Sequence, residues 1–200
     1  MTDTTPDMID AVFDISGDTI APHYHHELWH ELVRYIPQLA SDSPVGVIPL
    51  RTVASEAGLL LPKRSKLVLR MTGAIAADYL NLSGKSLSIG GVTLNLGVGK
   101  LRKIQPCPTL HAHLVTGGED EVAFLEEVAA RLTELGITGK LLCGMRNDIT
   151  TPARQIHGYS LVIHDLKPRD SLLLQYIGLG TYRHYGCGIF VPYKVITDLD

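Results

Sequence analysis

Residues 110–136, LHAHLVTGGEDEVAFLEEVAARLTELG, decide how the chain is read. LHAHLVT (110–116) reads as a strand, and EDEVAFLEEVAARLTELG as an acidic helix that Gly136 closes, since glycine tolerates the left-handed backbone of a helix end. Downstream, GKLLCGM (139–145) and GYSLVIHDL (158–166) look like strands, RDSLLLQYIG (169–178) like a helix and CGIFVPY (187–193) like a last strand. The order β-α-β-β-α-β is the ferredoxin-like one.

Upstream, IDAVFDIS (9–16) alternates Ile9, Ala11, Phe13 and Ile15 with other residues at period two, the pattern of a half-buried strand. HHELWHELVRYIP (25–37) then places Leu28, Leu32, Tyr35 and Ile36 at helical spacing, with Pro22 suited to the first turn and Pro37 ending the run. VGVIPLRTV (45–53), SKLVLRMT (65–72), KSLSIGGVTLNLG (85–97) and GKLRKI (99–104) read as strands, the third a hairpin about Gly90-Gly91, with a short helix around AIAADYL (74–80). This is a looser copy of the second half. The expectation is an α+β chain of two tandem domains, residues 1–106 and 107–200, the second carrying a glycine-rich loop at 178–188.

Two hundred residues at 45% hydrophobic content are enough for a sizeable core, in one large domain or two small ones. No apolar run approaches the roughly 20 residues of a membrane helix, and the acidic start MTDTTPDMID is unlike a secretory leader. A cytoplasmic protein without membrane contact is expected. Cys107, Cys143 and Cys187 form no C-x-x-C pair, so neither a disulfide framework nor a zinc knuckle is indicated, and buried thiols are expected. Net charge is −3, but residues 60–103 carry eight basic groups against one acidic, and residues 140–194 seven against three. Segments of like charge assemble a basic face when they fold together, the footprint of a phosphate-rich ligand, although solvated faces give the same count.

GLGTYRHYGCGIF (178–190) places four glycines around Tyr182, Arg183, His184 and Tyr185. Glycines permit close approach and left-handed angles, and free N–H groups in such a loop suit an anion. The spacing is not the G-x-G-x-x-G of a dinucleotide fold. SGKS (83–86) and GVGKL (97–101) lack the upstream glycine of a P-loop, Tyr79 and Leu94 standing there instead.

Taken together, VFDISGDTIAPHYHHELWHELVRYIP, RSKLVLRM, GKSLSIGGVTLNLG, KLLCGMRNDITTP and GLGTYRHYGCGIFVPYK resemble the CRISPR repeat-processing endoribonucleases, the Cas-six family of the RAMP superfamily, and most closely its Myxan subtype. The resemblance runs from about residue 8 to 194, and the glycine loop with the following GIFVPYK is its most specific part. It implies two ferredoxin-like domains of RAMP/RRM type and metal-independent cleavage of repeat RNA 3′ of its stem-loop. It also implies retention of the product in a type I effector complex, and no cofactor.

Metal-free RNA cleavage needs a base for the 2′-hydroxyl proton, an acid for the leaving 5′-oxygen and cations for the phosphorus centre, and histidine suits the first two. His23, His25, His26 and His30 surround the first helix, where the family's catalytic histidine sits, and His184 lies in the glycine loop. Anchoring the register on Leu28 and Leu32 makes His26 the leading candidate. His23 follows, then His30 one turn beyond His26, with Tyr24 as a group that orients the ribose or acts through its hydroxyl. For RNA binding the candidates are Lys63, Arg64, Lys66, Arg70, Lys100, Arg102 and Lys103, together with Gly180, Tyr182, Arg183, His184, Gly186 and Lys194. Strand alternation puts Lys66 and Arg70 on one face, and Tyr182 or Tyr185 could stack on unpaired bases.

Two other readings stay open. HELWH (26–30) spells H-E-x-x-H, which in a zinc hydrolase makes Glu27 the base, with a third ligand such as His111, His113 or His164. A repeat-binding subunit that does not cleave would carry the same motifs.

Overall fold

The structure is a computed structural model describing residues 7–40, 45–56 and 58–193. The chain divides into two compact units. The first comprises residues up to Ile104 with the returning segments Ile149–Gln155 and Arg183–Gly186, and the second Gln105–Asp148, Ile156–Tyr182 and the chain from Cys187.

The first unit contains β1 (Met8–Ser16), β2 (Thr19–Ile20), α1 (Tyr24–Tyr35), β3 (Gly46–Ile48), β4 (Val53–Ser55), β5 (Gly58–Leu60), β6 (Lys66–Thr72), α2 (Ala76–Tyr79), β7 (Ser86–Ile89), β8 (Val92–Leu96) and β9 (Lys100–Lys103). Its main sheet runs β3-β6-β1-β8-β7. On the side of β1 away from β6, residues Ile9–Val12 pair with β9, and Ile15 and Ser16 pair with β8. Ala11, Phe13 and Ile15 of β1 are buried at period two. They share a core with Tyr24, Leu28 and Leu32 of α1, one residue per helical turn. Gly90 and Gly91, both at positive φ, close the two-residue hairpin between β7 and β8.

The second unit contains β10 (Leu110–Thr116), α3 (Glu121–Glu134), β11 (Lys140–Thr150, whose last two residues belong to the first unit), β12 (Gln155–His164), α4 (Pro168–Ile177) and β13 (Val191–Pro192). The sheet order β11-β12-β10-β13 is the ferredoxin-like one expected from β-α-β-β-α-β. Asp120 caps α3, its carboxylate accepting from the Ala123 N–H at 2.9 Å. Phe124, Val128 and Leu132 form the buried stripe, and Gly136 at φ +64 ends the helix. The inner face of α4 is partly polar. Ser171 Oγ accepts from the Cys107 N–H at 2.9 Å, and Gln175 Nε2 donates to the Gln105 carbonyl at 2.9 Å.

Two strands are shorter than the sequence suggests. VGVIPLRTV is broken at Pro49, which has no N–H for a ladder. Gly46–Ile48 stay in the main sheet, while Val53–Ser55 join the separate sheet β2-β5-β4. CGIFVPY contributes only Val191 and Pro192, opposite His111 and Leu110. Gly188, at φ +67, leaves the extended region just before it. Of the three thiols only Cys187 is fully buried, and burial pushes its pKa up to about 12; Cys107 and Cys143 are half-buried. Among the described residues no helix is long and apolar enough to cross a membrane.

Candidate active site and nucleic-acid interface

The site begins with the sequence HELWHEL, residues 26–32, in which a three-residue unit recurs after four positions. On an α-helix that spacing makes three parallel stripes. Leu28 and Leu32 are buried in the core, while His26 and His30 lie one above the other with ring centroids 4.5 Å apart. His23 is exposed at the N-cap of α1 and makes no side-chain capping bond. Tyr24 departs from the expected role. It is 4% exposed, its hydroxyl accepts from the Leu50 N–H at 2.8 Å, and burial pushes the phenol well above its ordinary range. It is a core residue that ties the chain after Pro49 to α1, and His25 stacks on its ring at 4.1 Å.

Residues 183–186 of the glycine loop pack within this same unit. The Tyr185 ring lies 6.1 Å from His26, His184 lies 4.0 Å from Tyr185, and Trp29 lies 5.1 Å from His184. Burial holds the His184 imidazole below its ordinary pKa. Three imidazoles and two larger aromatic rings therefore form one cluster on the outer side of α1.

The loop glycines are required by close packing. A Cβ at 188 would overlap the Leu179 carbonyl oxygen, and one at 186 would come within 2.9 Å of Pro49 Cγ. The N–H groups are used internally: Gly186 donates to Arg183 O at 3.0 Å, Cys187 to Tyr182 O at 3.3 Å and Gly188 to Leu114 O at 2.7 Å. Gly186 therefore offers no free N–H to an anion. These contacts fold the turn. Gly180 is exposed, but its Cβ position lies 2.5 Å from Thr116 Oγ1. Tyr182 is half-buried at φ +62 in the second unit.

Cationic side chains gather across β6, β1 and β9. Arg70, Asp10 and Arg102 are cross-strand neighbours in one row. Arg70 donates to Asp10 from Nε at 2.8 Å and from Nη2 at 3.2 Å, and Arg102 Nη2 reaches the same carboxylate at 3.1 Å. Arg70 is only 2% exposed, so it is a buried ion-pair partner and not the surface contact that alternation with Lys66 suggests. Arg183 lies near enough to feel the charges of Arg70 and Asp10. Its Nε and Nη2 are buried without a hydrogen-bond partner, and desolvation with repulsion from Arg70 lowers its pKa to about 10, still cationic at neutral pH. A buried donor pair left unmatched is costly and favours an anion.

Lys66 sits outside, paired with Asp14 at 2.6 Å. Lys100 and Arg102 share the sheet face of Asp10, while Lys103 points to the opposite face; Lys63 and Arg64 are exposed before β6. Lys194 lies outside the described residues. Among those residues no group of three or more His, Cys, Asp and Glu is placed to hold a metal ion. Glu27 of the H-E-x-x-H stretch accepts from the Gly90 N–H.

The family model described as "Cas6 Crispr" matches residues 9–195. The chain belongs to the Cas6 family. It is 33% identical over 186 residues to the "CRISPR-associated endonuclease Cas6" of Myxococcus xanthus strain DK1622, covering 92% of this chain and 81% of that protein. A solved structure of a Cas6-related gene from Pyrococcus furiosus superimposes with a TM-score of 0.63 at 12% identity, over 93% of this chain and 98% of that one. A CRISPR endoribonuclease Cse3 bound to a 19-nucleotide RNA gives 0.56 at 10% identity, over 92% and 98%. At those identities the likeness carries the fold, which is the paired ferredoxin-like architecture expected from the sequence.

In this Cas6 chain the histidines of α1 and the turn 183–185 come together, as do Arg70, Arg102 and Arg183. Sequence reasoning did not find Asp10 or Trp29. Asp10 lies on the polar side of an alternating strand and gave no sign that a charge would be buried there. Trp29 occupies a helix position between two histidines, half-buried against the core and 5.1 Å from the His184 ring of the docked turn.

Proposed function

We propose that this protein is an endoribonuclease that binds the stem-loop of CRISPR repeat RNA and cleaves it by internal attack, without a metal cofactor. The 2′-hydroxyl oxygen bonds to the adjacent phosphorus, the P–O5′ bond breaks, and the products carry a 2′,3′-cyclic phosphate and a 5′-hydroxyl. One imidazole takes the 2′ proton and another group delivers a proton to the 5′-oxygen. His26 is our leading base or acid, with His30 or His23 as partner, and Arg183 with Arg102 offsets charge on the phosphorus centre.

The observation that carries this reading is the close approach of His26 and His30, 4.5 Å between ring centroids, beside the turn that carries Arg183 with its Nε and Nη2 unmatched. The names of the Myxococcus relative, an endonuclease, and of the RNA-bound Cse3 structure support the substrate class. Lys66, Lys100, Lys63 and Arg64 provide phosphate contacts, which give affinity, and the hairpin shape gives selectivity. On the family resemblance, the cleaved RNA stays bound and the protein enters a type I effector complex. Incubation of the purified protein with its repeat RNA in EDTA tests the chemistry. Cleavage that leaves a cyclic phosphate is expected, and a strict need for added divalent metal would refute it.

A further inference from the structure

We propose that Glu27, Glu31 and Tyr35 are positioning residues for the cleavage reaction, clamping α1 to the open edge of β7 so that His26 and His30 are held in register; this rests on the histidine chemistry proposed above. The Glu27 carboxylate accepts from the Gly90 N–H, Glu31 Oε2 accepts from the Ser88 N–H at 2.8 Å, and the Tyr35 hydroxyl donates to the Ser86 carbonyl at 2.9 Å. The helix positions advance by four and the strand positions retreat by two. Four helical residues rise about 6.0 Å, and two strand residues span about 6.4–6.8 Å. A helix running antiparallel to the strand therefore meets every second residue of it.

The strand supplies what this match requires. β7 is the outer strand of its sheet and, among the described residues, pairs only with β8. In an antiparallel edge strand every second residue turns its N–H and C=O outward, and Ser86 and Ser88 are those residues. Arg34 joins two members of the clamp, its Nη2 donating to Glu31 Oε2 at 3.0 Å and to the Tyr35 hydroxyl at 3.1 Å. The Glu31 side chain is only 14% exposed.

The helix has a need for such a clamp. α1 has no side-chain bond at its N-cap; Tyr24, Leu28 and Leu32 are its fully buried residues, and Trp29, Val33 and Tyr35 pack against the same core while partly buried. Apolar packing is non-directional and sets rotation about the helix axis less sharply than hydrogen bonds do. A polar row beside it fixes the rotation, and with it the neighbouring row of His26 and His30. In the repeated unit His-Glu-Leu, leucine anchors, glutamate orients and histidine reacts. The H-E-x-x-H spelling at 26–30 is then a by-product of two such units in succession.

The test compares the double variants Glu27→Ala/Glu31→Ala and Glu27→Gln/Glu31→Gln in the full-length protein. Three readings are taken: single-turnover cleavage rate, repeat-RNA affinity, and hydrogen exchange at the Ser88 and Gly90 amides. Glutamine keeps an oxygen acceptor and drops the charge. Loss of registration should slow the alanine pair by about tenfold to a hundredfold, while the glutamine pair stays within about threefold of the parent. RNA affinity should hold in both, and the two amides should lose protection only in the alanine pair. Parental cleavage by the alanine pair would overturn the proposal. So would a glutamine pair as slow as the alanine pair with its amides protected, because the charge would then be what matters. Cleavage and affinity falling together would also overturn it, as a general structural effect. If His26→Ala and His30→Ala both cleave normally, the histidine chemistry fails, and the exchange data will show separately whether the clamp exists.

Discussion

The first helices of the two units, α1 and α3, each follow the strand that opens the unit's main sheet, yet they differ in nearly everything except the inward stripe. Tyr24, Leu28 and Leu32 repeat the spacing of Phe124, Val128 and Leu132. Outside that stripe α3 is an ordinary acidic surface helix, capped by Asp120 and showing Glu121 and Glu126 to solvent. α1 has an exposed histidine at its N-cap, two neighbouring histidines on its flank and an aromatic turn docked on them. The lesson is that the fold demands only the apolar stripe, and the remaining positions are free to carry chemistry.

The largest expected effect tests that contrast directly. His26→Ala should slow cleavage by about 10²- to 10⁴-fold, the loss of a positioned acid or base, with RNA affinity little changed. Glu126→Ala on α3 should leave the rate unchanged. If His26→Ala cuts normally but His23→Ala or His30→Ala does not, the chemistry stays on α1 with a shifted assignment. Comparable losses from Glu126→Ala would end the contrast between the helices.

A smaller effect separates two arginines that stand in one cluster. Arg70→Ala removes a buried partner from Asp10 and leaves only the half-exposed Arg102, so chemical denaturation should show a loss of about 3 kcal/mol. Arg183→Ala breaks no hydrogen bond at Nε or Nη2, so it should leave the stability of the RNA-free protein nearly intact. It should instead weaken RNA binding and reduce the salt slope by about one, as expected for one lost phosphate contact. Arg183→Ala unfolding the free protein as severely as Arg70→Ala would contradict this division.

The smallest effect is in pH. Burial holds folded His184 below its ordinary value of 6.5, so the unfolded chain takes up this proton first as pH falls. Stability of the first unit should therefore decline as pH drops through 6.5 and level off only below the depressed folded value. His184→Asn should make that decline shallower in melts between pH 7 and 5. His111 and His113 on β10, whose pKa values burial also lowers, contribute a like slope in the second unit, which the substitution should leave in place.

Much of the fold could be read in the sequence because it follows from periodicity. The alternation of Ile9 to Ile15, the leucines of α1, the α3 stripe with Gly136 and the Gly90-Gly91 hairpin are all local patterns, and each produced its element. The broken strand at Pro49 was less visible, since the residues on either side are apolar enough to suit a strand. The candidate site was legible as a composition: histidines near one helix, cations in two segments, aromatics in a glycine loop. Its geometry was not, because alternation assigns Lys66 and Arg70 to one face without telling that only one of them stays in water.

By itself the sequence determined the element order of the second unit, the two ferredoxin-like halves, the family and the pool of candidate site residues, all of which depend on near neighbours along the chain. Tertiary structure alone decided that Tyr24 is core, that Arg70 belongs to Asp10 while Arg183 is left unmatched, and that the loop glycines are needed for packing. It also decided that Glu27 and Glu31 meet the edge of β7. Those roles rest largely on contacts between residues 26 or more positions apart, where burial and hydrogen bonding are set by which surfaces meet and not by local pattern.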